Sequence, residues 1–112
     1  MKDGIYHVRF SSSAGQSGEG IVLIKDGSLN GGDAGYLYLG KITVDGNVIS
    51  GQIRIKRWNP GHTSVFGTME AFDLSLTGNS DSANNSFRAK GSVTDQPGLT
   101  ISIAGRFLSM AA

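Results

Sequence analysis

Apolar and polar residues alternate with a period of two along most of the chain. In Val48–Arg57, Ile49, Gly51, Ile53 and Ile55 fall on one face and Ser50, Gln52, Arg54 and Lys56 on the other. Phe87, Ala89, Gly91 and Val93 oppose Arg88, Lys90 and Ser92, while Leu99, Ile101, Ile103, Gly105 and Phe107 oppose Thr100, Ser102 and Arg106. Tyr6, Val8 and Phe10 oppose His7 and Arg9. Successive side chains of a strand point to opposite faces, so this pattern predicts half-buried β-strands. Further strands are predicted at 20–25, 35–44 and 68–77, with a short one near 28–31.

The interruptions read as turns. Lys25-Asp26-Gly27-Ser28 and Val44-Asp45-Gly46-Asn47 each carry Asp-Gly, which suits the positive backbone angles of a type I′ hairpin turn. Asp95-Gln96-Pro97-Gly98 is another turn signal, and Asn59-Pro60-Gly61-His62 opens a longer connection. Ser11–Gly18 is rich in Ser and Gly and reads as a mobile loop. Helices find little room. The chain has 17 glycines, and only Asn79–Lys90 exceeds ten residues without Gly or Pro. That window opens on Asn, Ser and Asp, whose side chains compete for backbone hydrogen bonds.

Some glycines lie on the apolar faces of strands. Gly51, Gly91 and Gly105 face inward in the register above, and Gly40 shares a face with Tyr36, Tyr38 and Ile42. A missing side chain on a concave face lets a strand bend sharply, as a small barrel requires. The expected fold is therefore all-β, an up-and-down antiparallel barrel of about eight strands occupying residues 1–112 as one domain. An open sandwich is the alternative architecture.

Composition narrows the chemistry. The absence of cysteine removes disulfides, Cys-ligated zinc and thiol catalysis together. Net charge is +1, far from the basic balance of a dedicated nucleic-acid binder, and no recognition helix can be placed, so no specific DNA binding is expected. Met1-Lys2-Asp3-Gly4 runs straight into the first strand with no apolar signal-peptide region, and no membrane-length apolar run follows. A cytoplasmic protein without a membrane partner is expected. Asn84-Asn85-Ser86 then reads as a polar turn rather than a glycosylation site.

No catalytic constellation emerges, and neither a metal nor any other cofactor is expected. His7 lies on the polar face of a strand and His62 in a Pro-Gly loop, neither with a partner at metal-ligand spacing. Gly31-Gly32-Asp33 lacks the strand-to-helix setting of a phosphate loop. Glu70 shares its alternation phase with Phe72, Leu74 and Leu76, which would aim a carboxylate inward unless a bulge near Met69 turns it out. Arg54, Lys56, Arg88, Lys90 and Arg106 point outward without interleaved aromatics and read as a solvated face. The chain is expected not to be an enzyme.

Two binding features remain. Tyr36, Tyr38, Phe87 and Phe107 are the expected lining of an apolar cavity, with space left by Gly51, Gly91 and Gly105. An eight-stranded barrel is just wide enough to be filled by side chains or to hold one small ligand. In addition, Gly35-Tyr36-Leu37-Tyr38-Leu39 and Ile21-Val22-Leu23-Ile24 are apolar on both faces, and an outward apolar face calls for cover. A homodimer is expected there, with Val22, Ile24, Leu37 and Leu39 as its interface.

Several of these residues also carry a resemblance. Met1-Lys2-Asp3-Gly4-Ile5-Tyr6, Gly18-Glu19-Gly20-Ile21 with Ile24-Lys25, and Gly31-Gly32-Asp33 with Tyr38 and Gly40 resemble the N-terminal part of the GrlR family. These are small bacterial negative regulators of type III secretion gene expression. The resemblance covers about the first 40 residues; beyond them strand spacing is compatible and identity is low. It implies a lipocalin-like eight-stranded barrel that dimerises. It also implies repression by protein contact, in which the regulator binds and silences a transcriptional activator. In the best-known member an acidic surface run, Glu-Asp-Glu-Asp, matters for that contact. Here the corresponding turn reads Thr43-Val44-Asp45-Gly46-Asn47-Val48, with Asp45 its one acid, so no residue of that motif is carried over. The functional alternative, of a different class, is a carrier of a small apolar ligand.

Overall fold

Eight antiparallel strands form in chain order in the computed structural model, which describes residues 1–112. They are β1 (Gly4–Ser12), β2 (Ser17–Lys25), β3 (Ser28–Gly32), β4 (Tyr36–Asp45), β5 (Val48–Arg57), β6 (Ala71–Asp81), β7 (Ser86–Val93) and β8 (Gln96–Ser109). Each pairs with its neighbour, and β1 pairs with β8, so the sheet closes into a barrel with no free edge. Closure satisfies every strand by its neighbours and removes the unpaired edges that invite aggregation.

The alternation sets which side chains fill the interior. Tyr6 and Val8 of β1, Val22 and Ile24 of β2, Tyr36, Tyr38 and Ile42 of β4, and Phe72, Leu74 and Leu76 of β6 are all buried. Ile49 and Ile53 of β5, Phe87 of β7 and Ile101 of β8 join them in one cluster. Val93 is fully buried at the end of β7.

Turn chemistry explains the hairpins, with one change of type. Asp26 and Gly27, at φ 50° and 78°, are the two central residues between Lys25 and Ser28, the positions a type I′ turn requires. Between β4 and β5 the register pairs Asp45 with Val48, leaving Gly46-Asn47 as the central pair. Gly46 alone has positive φ, at 63°. A glycine at the first central position suits type II′, so the expected type I′ turn on Asp45-Gly46 is displaced by one residue.

Three other boundaries differ from expectation. The Ser11–Gly18 loop shortens to a tight turn, because Ser11 pairs with Ser17 and Phe10 with Gly18 across β1 and β2. The strand expected from residue 68 starts at Ala71, the preceding residues being held over the barrel mouth. The turn expected on Asp95–Gly98 lies earlier: Val93 pairs with Gln96, and Pro97 and Gly98 occupy a bulge at the start of β8 before Thr100 pairs with Ser92. A bulge tolerates a proline, which has no amide hydrogen for the ladder.

Atoms of the neighbouring strands occupy the space beside the inward glycines. A Cβ on Gly105 would lie 2.1 Å from Cε2 of Phe87, its direct cross-strand partner. On Gly91 it would lie 2.8 Å from Cδ2 of Leu76. The expectation that these glycines leave open space is therefore corrected: Leu76 and Phe87 fill it beside Gly91 and Gly105, and the β4 backbone lies against Gly51.

Candidate functional site

The two ends of the barrel differ. One end is packed shut by aromatic rings. Tyr6 meets Phe87 and Phe107 edge-on at centroid distances of 5.6 and 5.5 Å, and the Lys2 ammonium sits 4.0 Å above the Phe107 ring. The Tyr6 hydroxyl donates to the Lys2 carbonyl at 2.6 Å. Burial, with a smaller contribution from the Asp3 charge, pushes the Tyr6 phenol above its ordinary range.

The opposite half of the barrel encloses a cavity of about 300 Å³. Its walls are mainly Val8, Phe10, Val22, Leu29, Ile53, Phe72, Leu74, Leu76 and Ile101. Tyr36, Tyr38 and Phe87 line it as well. Phe107 does not; it belongs to the closed end, where its ring packs on Tyr6.

Asp33 organises the mouth of this cavity. It sits in the short connection between β3 and β4, and its Oδ1 accepts the backbone N–H of both Gly35 and Tyr36 at 2.8 Å. An Asx turn of this kind suits a short polar side chain and fixes the chain reversal. Oδ2 accepts the Tyr38 hydroxyl. The Tyr38 phenol is pushed far above its ordinary value, first by burial and then by this bond, which favours the protonated form. Space for the Tyr38 ring comes from Gly20, where a Cβ would lie 2.6 Å from the hydroxyl oxygen.

The long connection between β5 and β6 covers the mouth. Its inner turn is Ser64-Val65-Phe66-Gly67, closed by Ser64 N–H to Gly67 O at 2.8 Å and Gly67 N–H to Ser64 O at 2.9 Å. Val65 lines the cavity, and Phe66 packs edge-on against Phe72 at 5.5 Å. Ser12 Oγ donates to Val65 O at 2.7 Å, and the Tyr36 hydroxyl donates to Met69 O at 2.7 Å. Trp58 Nε1 donates to Asp33 O at 3.1 Å. His62 packs over Gly35, where a Cβ would come within 2.5 Å of the His62 Cβ, and it lines the mouth rather than standing free in solvent. The cover had no counterpart in the strand pattern, because it is held by backbone carbonyls and one aromatic pair rather than by alternation.

The remaining sequence-singled residues are dispersed. Glu70 precedes β6, points outward and pairs with Arg57 Nη2 at 3.2 Å. His7 Nε2 lies 3.5 Å from Glu19 Oε1 on the outer face. Arg54 pairs with Asp73 at 3.2 Å, while Arg88, Lys90 and Arg106 are exposed on the outer face of β7 and β8. No three His, Asp or Glu side chains converge as a metal site would require. No helix of the structure is long and apolar enough to cross a membrane.

A second feature lies outside the barrel wall. Leu37 and Leu39 are 39% and 42% exposed, with Ile21 at 46% on β2. The register places Ile21 and Leu37 on either side of Gly32, and Leu23 and Leu39 on either side of Asn30. Four apolar side chains thus flank a low central ridge formed by β3. Val22 and Ile24, expected in this outer face, are instead 2% and 3% exposed inside the barrel. β2 has the opposite phase, and Ile21 and Leu23 carry its outward face.

The fold is a closed eight-stranded barrel, packed by aromatic rings at one end and covered by a loop at the other. The family of the chain follows from comparison with known proteins. The family model described as "T3SS negative regulator, GrlR" matches residues 1–110, nearly the whole chain, and the chain belongs to that family of negative regulators of type III secretion. No curated protein matches the sequence. The residues that carry the N-terminal resemblance have definite structural work: Gly20, Asp33 and Tyr38 form the mouth described above, and Gly4 lies under the Phe107 ring at the closed end.

Proposed function

We propose that this protein represses type III secretion genes without catalysis, by binding and silencing a transcriptional activator protein. Membership of the GrlR family over residues 1–110 is the observation that carries this reading. The contact is not assigned to an acidic turn. The β4–β5 hairpin presents one acid, Asp45, between Val44 and Val48, which are 38% and 51% exposed. The cytoplasm is the compartment where such a contact operates. The outer apolar face of β2–β4 serves self-association as a homodimer in this reading, because four apolar side chains in register would otherwise meet water.

The test is genetic and biochemical together. Deleting the coding sequence in the native host should raise transcription from type III secretion promoters, and tagged protein should co-purify with an activator that contains a DNA-binding helix-turn-helix. Unchanged promoter activity on both deletion and overexpression would refute the proposal. Gel shifts with the purified chain alone should show no sequence-specific DNA complex, since the protein acts through the activator.

A second reading is favoured by a separate observation. The cavity of about 300 Å³, walled by aliphatic and aromatic side chains, has the size and lining of a small-ligand site. In this reading the barrel carries a small apolar ligand, as lipocalin-like barrels do. Saturable binding of an apolar probe to the purified protein tests it, and a cavity that takes up none would end it.

A further inference from the structure

We propose that the outer wall formed by β7, β8 and β1 is a docking surface for an extended acidic segment of a partner protein. The proposal rests on the regulatory reading, in which the protein acts by contact, and names the chemistry its partner presents. The first ground is the grouping of charge. Arg88 and Lys90 of β7, Arg106 of β8 and Arg9 of β1 are all exposed on this wall. The register puts Arg88 and Arg9 on either side of Ala104, and Arg106 between Ser86 and His7. With strands about 4.8 Å apart and alternate residues about 6.8 Å apart along each, the backbones of the four lie within roughly 15 Å. The whole chain carries a net charge of +1, so this wall is a local excess.

The second ground is that these cations have no counter-charge. The ion pairs of the chain join His7 to Glu19, Arg54 to Asp73 and Arg57 to Glu70, and none includes the four. Asn79 stands beside Arg88, and Thr77 and Ser102 beside Lys90. Glu19 is opposite Arg9 at the border, but its carboxylate lies 3.5 Å from His7 Nε2. Asp81, opposite Ser86, is taken by Asn84 Nδ2 at 2.7 Å. Like charges grouped on a sheet repel one another, and an anion laid among them relieves that repulsion.

The shape of the wall selects the anion. Between the long side chains of β7 and β1, Ser102 and Ala104 keep the face of β8 low. An extended chain laid along β8 sends alternate side chains to opposite sides. Its carboxylates two residues apart, at about 6.8 Å, match Arg88 and Lys90, and the one between them turns toward Arg9. Three of the four cations are Arg, whose planar fork takes a carboxylate through two parallel hydrogen bonds. A single nucleic-acid strand would call for aromatic rings to stack on, and the exposed aromatic of this chain, Trp58, lies in the β5–β6 connection. A duplex would call for an element that enters a groove, and this wall is flat sheet.

Two fluorescein-labelled peptides of identical Glu and Ser content provide the probes, one with its glutamates consecutive and the other with them spaced apart. By anisotropy at an ionic strength of about 0.1 M, where charges more than about 10 Å apart are largely screened, the full chain should bind the consecutive peptide saturably. It should bind the spaced one on the order of fivefold more weakly. Arg88→Ser with Lys90→Ser should weaken the consecutive peptide on the order of tenfold. Lys41→Ser with Lys56→Ser removes the same charge from the opposite wall and should change affinity by less than about twofold. Urea midpoints of both variants should match wild type, since all four substituted residues are exposed. Equal affinity for the two peptides, or equal losses in the two charge-matched variants, would overturn the surface. Tighter binding of oligothymidylate or of phosphatidylserine vesicles, lost with Arg88→Ser and Lys90→Ser, would overturn the assignment to a protein segment. In the native host the β7 variant should fail to repress. A β7 variant that represses as wild type does would overturn the surface and leave the regulatory reading standing. Peptide binding as expected, with promoters indifferent to the wild-type protein, would overturn the regulatory reading and leave the surface standing.

Discussion

Replacing Asp33 with Ala should destabilise the barrel more than any other exposed or half-buried polar substitution in this chain. The side chain accepts three hydrogen bonds, from Gly35 N–H, Tyr36 N–H and the Tyr38 hydroxyl, and both Gly35 and Tyr36 are buried. A hydrogen bond to a charged group contributes about 1.5–3 kcal/mol, and a buried donor left unpaired costs about 1–3 kcal/mol. Asp33 itself is half-buried, so water recovers part of this, and a net loss of about 2–4 kcal/mol is expected. In a chain of this size that corresponds to a fall in Tm of roughly 10–15 °C. Asp33→Asn retains an acceptor and should lose about 1 kcal/mol. Urea unfolding followed by Trp58 fluorescence and by far-UV circular dichroism supplies the measurement. Combining Asp33→Ala with Tyr38→Phe isolates the side-chain pair, for which a coupling of about 1 kcal/mol is expected. A midpoint for Asp33→Ala that stays within about 0.5 kcal/mol of wild type would show that the mouth is not held by this residue.

The closed end gives a steric prediction: Gly105→Ala places a Cβ 2.1 Å from the Phe87 ring and should cost about 1–3 kcal/mol in urea unfolding. Phe87→Leu should cost less in that background than in wild type, and strict additivity would refute the contact. On the outer face, Leu37→Lys with Leu39→Lys should convert a dimer of twice 11.7 kDa into a monomer by light scattering. Wild type already monomeric at roughly tens of micromolar would refute the dimer, and a folded variant still dimeric would relocate its interface. Stability should also fall at alkaline pH. The folded protein holds Tyr6 and Tyr38 protonated beyond the ordinary phenol value of 10.0, so above about pH 10 the unfolded chain binds fewer protons than the native one. Their contribution is fully present below pH 10 and declines above it, by up to about 1.4 kcal/mol per pH unit for each tyrosine. Urea midpoints at pH 9 and pH 11 that coincide would refute this.

The barrel was legible in the sequence because its governing signal is local. Period-two alternation and Asp-Gly turns report directly on strand faces and reversals, and Tyr6, Val8, Ile49, Ile53, Phe87 and Ile101 fall inside as the alternation requires. Alternation fails where a run is apolar on both sides. Ile21-Val22-Leu23-Ile24 contains no polar residue to set its phase, and a shift of one residue exchanges the whole inner and outer sets. Gly20 was the usable marker, since its missing side chain admits Tyr38 from across the sheet and so fixes Val22 and Ile24 inward. Glu70 took the outward alternative that its phase left open. Its phase counts back from Phe72, but β6 begins only at Ala71; the Glu70 carbonyl still accepts from β5, through Arg57 N–H, and Met69 before it is held by the Tyr36 hydroxyl.

The cavity itself was less legible, and the cause is long-range contact. Tyr36 and Tyr38 lie along it, and the space is set by residues distant in the chain: Val65 from the cover and Phe72 from β6 bound it, and Ser12 holds the cover down across 53 residues. No alternation rule reaches across that separation. The same β4 segment carries apolar residues on both faces of the wall. Tyr36 and Tyr38 face the cavity while Leu37 and Leu39, the residues between and after them, face outward beside β3. A displacement of the tyrosines by an occupant would have to pass through the backbone that carries the outer leucines. Asp33 anchors the start of that strand by two backbone bonds, so the inner tyrosines and the outer leucines share one fixed stretch of backbone.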